Sequence, residues 1–329
     1  MADASLTVKP AAGDLEGLLE SHRRELTGFC YRMLGSAFDA EDAVQETFVR
    51  AWRSFDRFEG RSSLRSWLYR IATNVSLDML GGRERRARPM DLGPAREPIA
   101  DNLNALPEVT WIEPIPDGRV VPEGDPADVA IAHDTIRLAF VAALQHLPPR
   151  QRAVLILCEV LRWQASEVAE LLETSVASVN SALQRARATL EATNLTTDAP
   201  LSVDAADADL LQRYVEAFER YDIDALTALI HEDATQSMPP YDLWLTGRDD
   251  IFRWWFGPGI GCEGSRVIPT VAANGAPAFG QYKPADGGGY EPWALQVIEV
   301  RDGRIGELTF FLDTERVFPL FGLPPRIDA

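Results

Sequence analysis

The sequence predicts a multidomain protein: two all-α domains, the second a helix-turn-helix, followed by an α+β domain whose curved antiparallel sheet wraps over helices. Three observations carry this. Apolar residues recur at three- and four-residue steps through 14–90 and 131–193. A proline-rich, acidic stretch separates those two regions. After residue 205, two helical runs give way to alternating segments broken by Gly and Pro. At 329 residues the chain is too long for one ordinary core. The boundaries read are 14–90, a linker over 91–130, 131–193, a second linker over 194–205, and 206–329.

Residues 14–34 form the first expected helix, with Leu15, Leu18, Leu19, Leu26, Phe29, Cys30 and Met33 on one broad face and Gly35 as its stop. Asp39 is read as the next N-cap, with Glu41 and Asp42 in the favourable first turn. The helix DAEDAVQETFVRAWRSF is expected to bury Val44, Phe48, Ala51, Trp52 and Phe55, leaving Glu41, Asp42, Gln45, Glu46 and Val49 facing elsewhere. The loop DRFEGRSS follows. Then SLRSWLYRIATNVSLDMLGGRERRAR sets Leu64, Trp67, Leu68, Ile71 and Val75 in one stripe. Arg70 and Asn74 fall off it, and an arginine knot (Arg83, Arg85, Arg86, Arg88) comes after Gly81-Gly82. Arg and Asn beside a cationic cluster suit a nucleic-acid backbone with bases nearby.

Eight prolines between 89 and 126 exclude a regular helix, so 91–130 reads as a long, mostly extended linker. Helices resume with IRLAFVAALQHL, restart after Pro148-Pro149, and end in SEVAELL, a turn at Glu173-Thr174-Ser175, and VASVNSALQRARATL, a helix-turn-helix pattern. On the last helix Val176, Val179, Leu183, Ala186 and Leu190 form the expected buried face. Ser178, Ser181, Gln184 and Arg185 lie opposite, with Arg187 at the flank. Small residues admit such a helix to a major groove, and arginines reach phosphates.

The net charge of −18 is unevenly spread: residues 14–90 sum to +1, 91–133 to −7 and 194–329 to −12. The local balance, not the total, therefore decides whether the helical part suits DNA. No apolar run is long enough to span a membrane, and MADASLTVKP lacks a signal pattern, so a cytoplasmic protein is expected. Cys30, Cys158 and Cys262 are too scattered for a zinc site or disulfide framework; no metal and no cofactor are expected.

FCYRMLGSAFDAEDAVQETFVRAWRSF, SLRSWLYRIATNVSLDMLGGRERR and LPPRQRAVLILCEVLRWQASEVAELLETSVASVNSALQRARATL together resemble the sigma-70 family of the extracytoplasmic-function type. The resemblance covers 14–90 and 131–193 and implies an RNA polymerase specificity subunit rather than an enzyme. Its partners would be promoter DNA and core polymerase, at the beta-prime clamp helices and the beta flap. By the same resemblance Asp39, Glu41, Asp42, Gln45 and Glu46 contact the clamp. Phe58, Arg61, Ser62, Trp67, Arg70, Asn74, Arg83, Arg85 and Arg86 serve the minus-ten element, Asn74 near a flipped-base pocket. Ser178, Ser181, Gln184, Arg185 and Arg187 serve the minus-thirty-five element. The family threads its linker along the polymerase RNA path, which an acidic, extended segment fits. Two departures stand out: Glu173 occupies a turn position often held by Gly, and 91–130 exceeds the usual linker length.

Beyond 205, LLQRYVEAFERYDIDALTALI reads as a helix pair, and HEDATQSMPP, LWLTGRDDIFRWWFG, VIPTVAANGAPAFGQYK, EPWALQVIEV and RIGELTFFLD as strands with turns. AFERYDIDAL, HEDATQSMPP and Gly247-Arg248-Asp249 resemble the SnoaL-like (nuclear transport factor two-like) cone, which implies a pocket and a regulatory domain. His231, Met238, Tyr241, Trp244, Trp254, Trp255, Trp293 and Phe311 are its candidate lining, with room for an unknown small ligand. His231 and Asp233 are the one candidate acid/base pair and are placed at the end of the second helix. Two readings stay open: a sigma factor regulated by its own C-terminal domain, or a DNA-binding regulator fused to a SnoaL-like enzyme or sensor. The apolar tail ERVFPLFGLPPRIDA is expected to be pinned on its own cone or across an interface with the sigma domains, an intramolecular contact that the charge asymmetry favours.

Overall fold

A computed structural model describes residues 15–60, 62–123, 125–192 and 205–328. The chain divides into two compact units. One joins the described residues of Met1–Arg86 and Arg119–Thr196; the other joins those of Ala87–Gly118 and Thr197–Ala329.

Unit one is helical. The single helix read over 14–34 is two, α1 (Leu15–Ser21) and α2 (Arg23–Leu34), broken at His22 and stopped by Gly35 at φ 72°. In α3 (Ala37–Ser54) the N-cap is Ser36, not Asp39: the Ser36 hydroxyl accepts from the Asp39 amide at 3.1 Å. Its packed face is Ala40, Ala43, Val44, Thr47 and Ala51. Trp52, expected inside, lies one step off that face and is 57% exposed. In α4 (Leu64–Leu80) the buried stripe is rotated toward Tyr69, Ala72, Thr73 and Ser76 beside Trp67, Leu68 and Val75, leaving Leu64 and Ile71 half-buried.

The second half of unit one begins earlier than expected. Asp125 caps α6 (Pro126–Asp134), whose Pro126 sits in the first turn, where its missing N–H costs nothing. Next come α7 (Leu138–Gln145), α8 (Pro149–Leu155) running into a π-turn over Ile156–Val160, α9 (Ala165–Leu171) and α10 (Val176–Ala192). Buried arginines fasten the two halves. Arg32 of α2 donates to Thr135 Oγ1 at 2.8 Å, and Arg152 of α8 donates to the Met33 carbonyl and, at 2.6 Å, to Gln145 Oε1. Burial draws both guanidinium groups down to about 10, still well above neutral pH. Tyr69 of α4 meets Trp163 with ring centroids 5.1 Å apart.

Unit two is an α+β cone. Helices α11 (Ala205–Glu219) and α12 (Ile223–Leu229) precede a six-stranded sheet ordered β2-β1-β6-β5-β4-β3. Its strands are β1 (Ile230–Ser237), β2 (Trp244–Thr246), β3 (Arg266–Pro269), β4 (Ala278–Pro284), β5 (Tyr290–Arg301) and β6 (Arg304–Phe311). The sheet is mixed, not wholly antiparallel: β1 runs parallel to β6. Bulges at Gln281/Tyr282 and Glu299/Val300 bend it. Most of the segment read as strand over 243–257 is helix α13 (Arg248–Trp255), because Ile251, Phe252, Trp254 and Trp255 fall on one helical face.

The stretch 91–118 is extended but not a free linker. Opened by the short helix α5 (Pro89–Leu92), it packs on the cone and buries Trp111, Ile112 and Ile115. Backbone pairs tie Leu106 to Pro240 and Asn104 to Asp242, and Arg96 grips Asp242 through both Nη atoms at 3.1 and 2.8 Å. The Asn274 side chain accepts from the Ile115 amide at 3.0 Å. The apolar tail folds on its own cone as α14 (Thr314–Leu320) and the residues after it: Phe318 stacks edge-on against Tyr282, and Leu323 seats over Gly280. A Cβ on Gly280 would stand 2.8 Å from the Leu323 methyls, so any larger residue there would push Leu323 aside.

Candidate functional site

Four surfaces hold the expected site residues. On α3, Asp42 and Gln45 are exposed and Glu46 is half-exposed, bonding Arg50 at 2.7 Å. Val49 and Trp52 continue the same outer face at 41% and 57% exposure. Asp39 faces inward to Arg83 and Arg86, and Glu41 is held by Arg119.

Around α4 the expected residues divide. Asn74 is exposed and Arg70 half-exposed; Ser62 is half-buried. Phe58 and Trp67 are 7% exposed and pack ring on ring at 4.8 Å with Phe55 beside them, so they form the floor of this surface and not its contact points. Arg86 is likewise buried, bonding Asp39 at 2.8 Å. Arg83 and Arg85 are exposed, the first on Asp39 and the second on His146. Arg61 lies outside the described residues. A quartet behind α4 escaped the sequence reading. Glu25 accepts from Arg65 at 2.8 Å and from Tyr69 at 3.2 Å and bonds His22, while Arg65 lies over the Trp163 ring.

On α10, Ser178, Ser181, Gln184, Arg185 and Arg187 are all exposed. Val179 and Ala186 are buried and Leu183 and Leu190 half-buried, whereas Val176 is 44% exposed because the turn before it lifts the first residue off the core. In that turn Glu173 adopts φ 52°, the left-handed region its Cβ disfavours. Ser175 caps α10 by accepting from the Ser178 amide at 3.2 Å, and Arg187 is held by Glu159.

Unit two holds a partly open cavity of about 1480 Å³. Met238, Tyr241, Trp254, Trp255, Trp293 and Phe311 lie on its wall. His231 and Trp244 do not. His231 and Asp233 stand on β1, not at a helix end, and Asp233 is exposed. The Trp244 indole donates outward to the Gly93 carbonyl at 2.8 Å. His231 is half-buried, and its Nδ1 accepts from the Asp233 amide at 3.2 Å. The wall's buried polar groups are the amides of Gln236 and Gln281 and the carboxylate of Glu113, which is paired with Arg316. Gln236 accepts from the Trp255 indole at 2.7 Å, and Gln281 is joined to Gln296 and Ser265, with Tyr214 donating to Gln296. Amides donate and accept hydrogen bonds but do not exchange protons at neutral pH. Cys262, also on the wall, is pushed up to about 11 by burial, so it stays a thiol.

Comparison with known proteins follows this division. The sigma-70 region 2 family matches residues 18–86, sigma-70 region 4 matches 137–190, and the SnoaL-like domain matches 211–308. The chain is 46% identical over 320 residues to the ECF RNA polymerase sigma factor SigG of Mycobacterium tuberculosis, covering 96% of this chain and 85% of that one. This chain belongs to the extracytoplasmic-function sigma factors. It is therefore an RNA polymerase sigma factor, directing promoter-specific initiation, with a SnoaL-like domain fused behind its sigma regions. A second sigma factor of the same organism, SigJ, is 28% identical over 301 residues, covering 87% of this chain and 88% of its own. The crystal structure of Mycobacterium tuberculosis SigJ shares the fold, with a TM-score of 0.60 at 23% identity over 94% of this sigma factor and 100% of SigJ. Among the described residues no helix is long and apolar enough to cross a membrane.

Proposed function

We propose that this sigma factor binds core polymerase through the outer face of α3, engages the minus-ten element with the surface around Asn74, reads the minus-thirty-five element with α10, and is regulated through unit two. It would do so in the cytoplasm, where the polymerase is. The observation that carries the reading is the make-up of the α3 face. Asp42, Gln45 and Glu46 stand beside an exposed valine and an exposed tryptophan. An exposed valine and an indole at 57% exposure, following an acidic turn along the same helix, suit a protein partner better than bulk water.

The closed form of unit one supports a further step. The two promoter elements lie about 25 base pairs apart, ~85 Å of duplex at 3.4 Å per pair. Tyr69 and Trp163, one from each DNA-reading half, are in ring contact. Reading both elements at once requires those halves to separate, and the buried arginine bonds are what must open.

The test is co-purification with core polymerase and run-off transcription. Asp42→Arg with Glu46→Arg abolishes both while the circular dichroism spectrum is unchanged, since both side chains face outward. Retained core binding by the double variant sinks the α3 assignment. DNA binding without any core binding by the wild type would favour a stand-alone DNA-binding regulator instead.

A further inference from the structure

The cavity of unit two is not closed by the cone alone. Leu103, Leu106, Trp111 and Ile112, from the segment that joins region 2 to region 4, form part of its wall, together with Trp255 and Phe310. Trp111 and Ile112 are 3% and 2% exposed, so this segment is built into the site and does not merely lie over it. Its attachment is specific: the Leu106 amide donates to Pro240, and Glu108 and Glu113 both reach Arg316.

The lining defines a ligand class. Apolar and aromatic side chains make up most of it; of its carboxylates, Glu108, Glu113 and Asp313 are paired with Arg316, and Glu315 is exposed. The ammonium of Lys283 is neutralised by Glu291 at 3.1 Å and lies over Trp293. Gln236 is 1% exposed; its oxygen takes the Trp255 indole, and its amide nitrogen has no hydrogen-bond partner among the described residues. A donor of this kind on an apolar wall fixes the orientation of a molecule carrying one acceptor. A volume of about 1480 Å³ exceeds what a small metabolite fills.

The geometry points to a composite site for an uncharged, flat, largely apolar molecule bearing a carbonyl or similar acceptor, with residues 100–114 as one wall, so that occupancy holds down the segment between the two sigma regions. Its regulatory meaning rests on the proposed function; the site itself does not. A ligand that binds only when this wall is docked stabilises the docked state in proportion to its occupancy. Free energy released on binding would then be felt in the one stretch of chain that both sigma regions share.

Nile red, a neutral planar dye with one carbonyl acceptor, is the probe, used on the full chain. Titration should give saturable, blue-shifted emission at one dye per chain. Gln236→Glu keeps the acceptor for the Trp255 indole but removes the amide donor, and should weaken the dye about tenfold, the worth of one buried hydrogen bond. Leu106→Asp should weaken it at least as much. Glutamyl endopeptidase reports on the wall itself, because Glu108 and Glu113 lie in it. Dye at about a hundred times its Kd should slow cleavage there about a hundredfold if cutting proceeds from the released segment. Dye that binds without protecting Glu108 and Glu113, and without sensing Leu106→Asp, overturns the composite site. Absence of saturable binding to the folded chain overturns the site altogether. Run-off transcription without dye is scored separately: its failure alongside normal dye binding and protection counts against the proposed function and leaves the site standing.

Discussion

Glu25 sits where two basic neighbours outweigh its surroundings. Burial opposes its ionisation, but the bonds from His22 and Arg65 prevail and hold the carboxyl below the usual range. A lowered folded-state pKa means stability that is fully present above the ordinary carboxylate range and is lost as pH falls through the lowered value. Glu25→Gln should therefore flatten the acid limb of a urea-stability profile, costing most at pH 8 and least at low pH; an unchanged acid limb contradicts this. Arg152 makes a different case, because its partners are carbonyls and an amide, not carboxylates. Arg152→Met fills the space but strands those buried acceptors, at a cost of about 2–4 kcal/mol. Urea denaturation of the variant measures it, and a loss under 1 kcal/mol would mean that solvent reaches the site. Neither residue was visible as special in the sequence. Each is one arginine or glutamate among many, and each is tied to a partner far along the chain, Glu25 to Arg65 40 positions away and Arg152 to Met33 119 positions away.

At the scale of single elements, α10 offers the cleanest test of DNA reading. Arg185 and Arg187 are both exposed, but Arg187 is engaged by Glu159. Arg185→Ala should lower the salt slope of promoter binding by about 0.9, one phosphate contact, and Arg187→Ala by less. Equal, negligible slopes would remove this face from the DNA interface. The same helix shows what periodicity delivers. Val179 and Ala186 emerge buried as their spacing requires, yet Val176 does not, because the first residue after a turn answers to the turn and not to the helix wheel. On α3 the wheel was right in period and wrong in phase by one residue, which put Trp52 inside when it stands outside. Phe58 and Trp67, assigned to the minus-ten element by resemblance, are buried in this form for another reason. A family role assigned to a position says nothing of its depth, and two aromatic rings that can stack on a third will do so. The segment 248–255 carries apolar residues at helical spacing, but its tryptophans and the strand before it read as sheet.

For the whole molecule, the order of elements was legible because each has its own period and its own stop signal; the division into units was not. A proline-rich acidic stretch reads as solvent-exposed by composition alone, and only pairing partners more than a hundred residues away, such as Asp242 for Arg96 and Asn274 for Ile115, reveal that it is part of a fold. Removing residues 197–329 should therefore leave Leu103, Trp111, Ile112 and Ile115 uncovered, and the remainder should self-associate and bind anilinonaphthalene sulfonate. Trp111→Ser with Ile115→Thr should restore a monomer by light scattering, and a truncated chain that is monomeric without them contradicts this. The chain passes between its two units three times, after Arg86, after Gly118 and after Thr196. In genetic terms, the C-terminal domain is not a cassette. A recombination event that delivers only the last third of the gene delivers a cone without one of its walls. Substitutions along 100–114 must be inherited in step with those lining the cone. Chimeras between sigma factors of this architecture should be viable with junctions at 86, 119 and 196 together, and defective with the last junction alone.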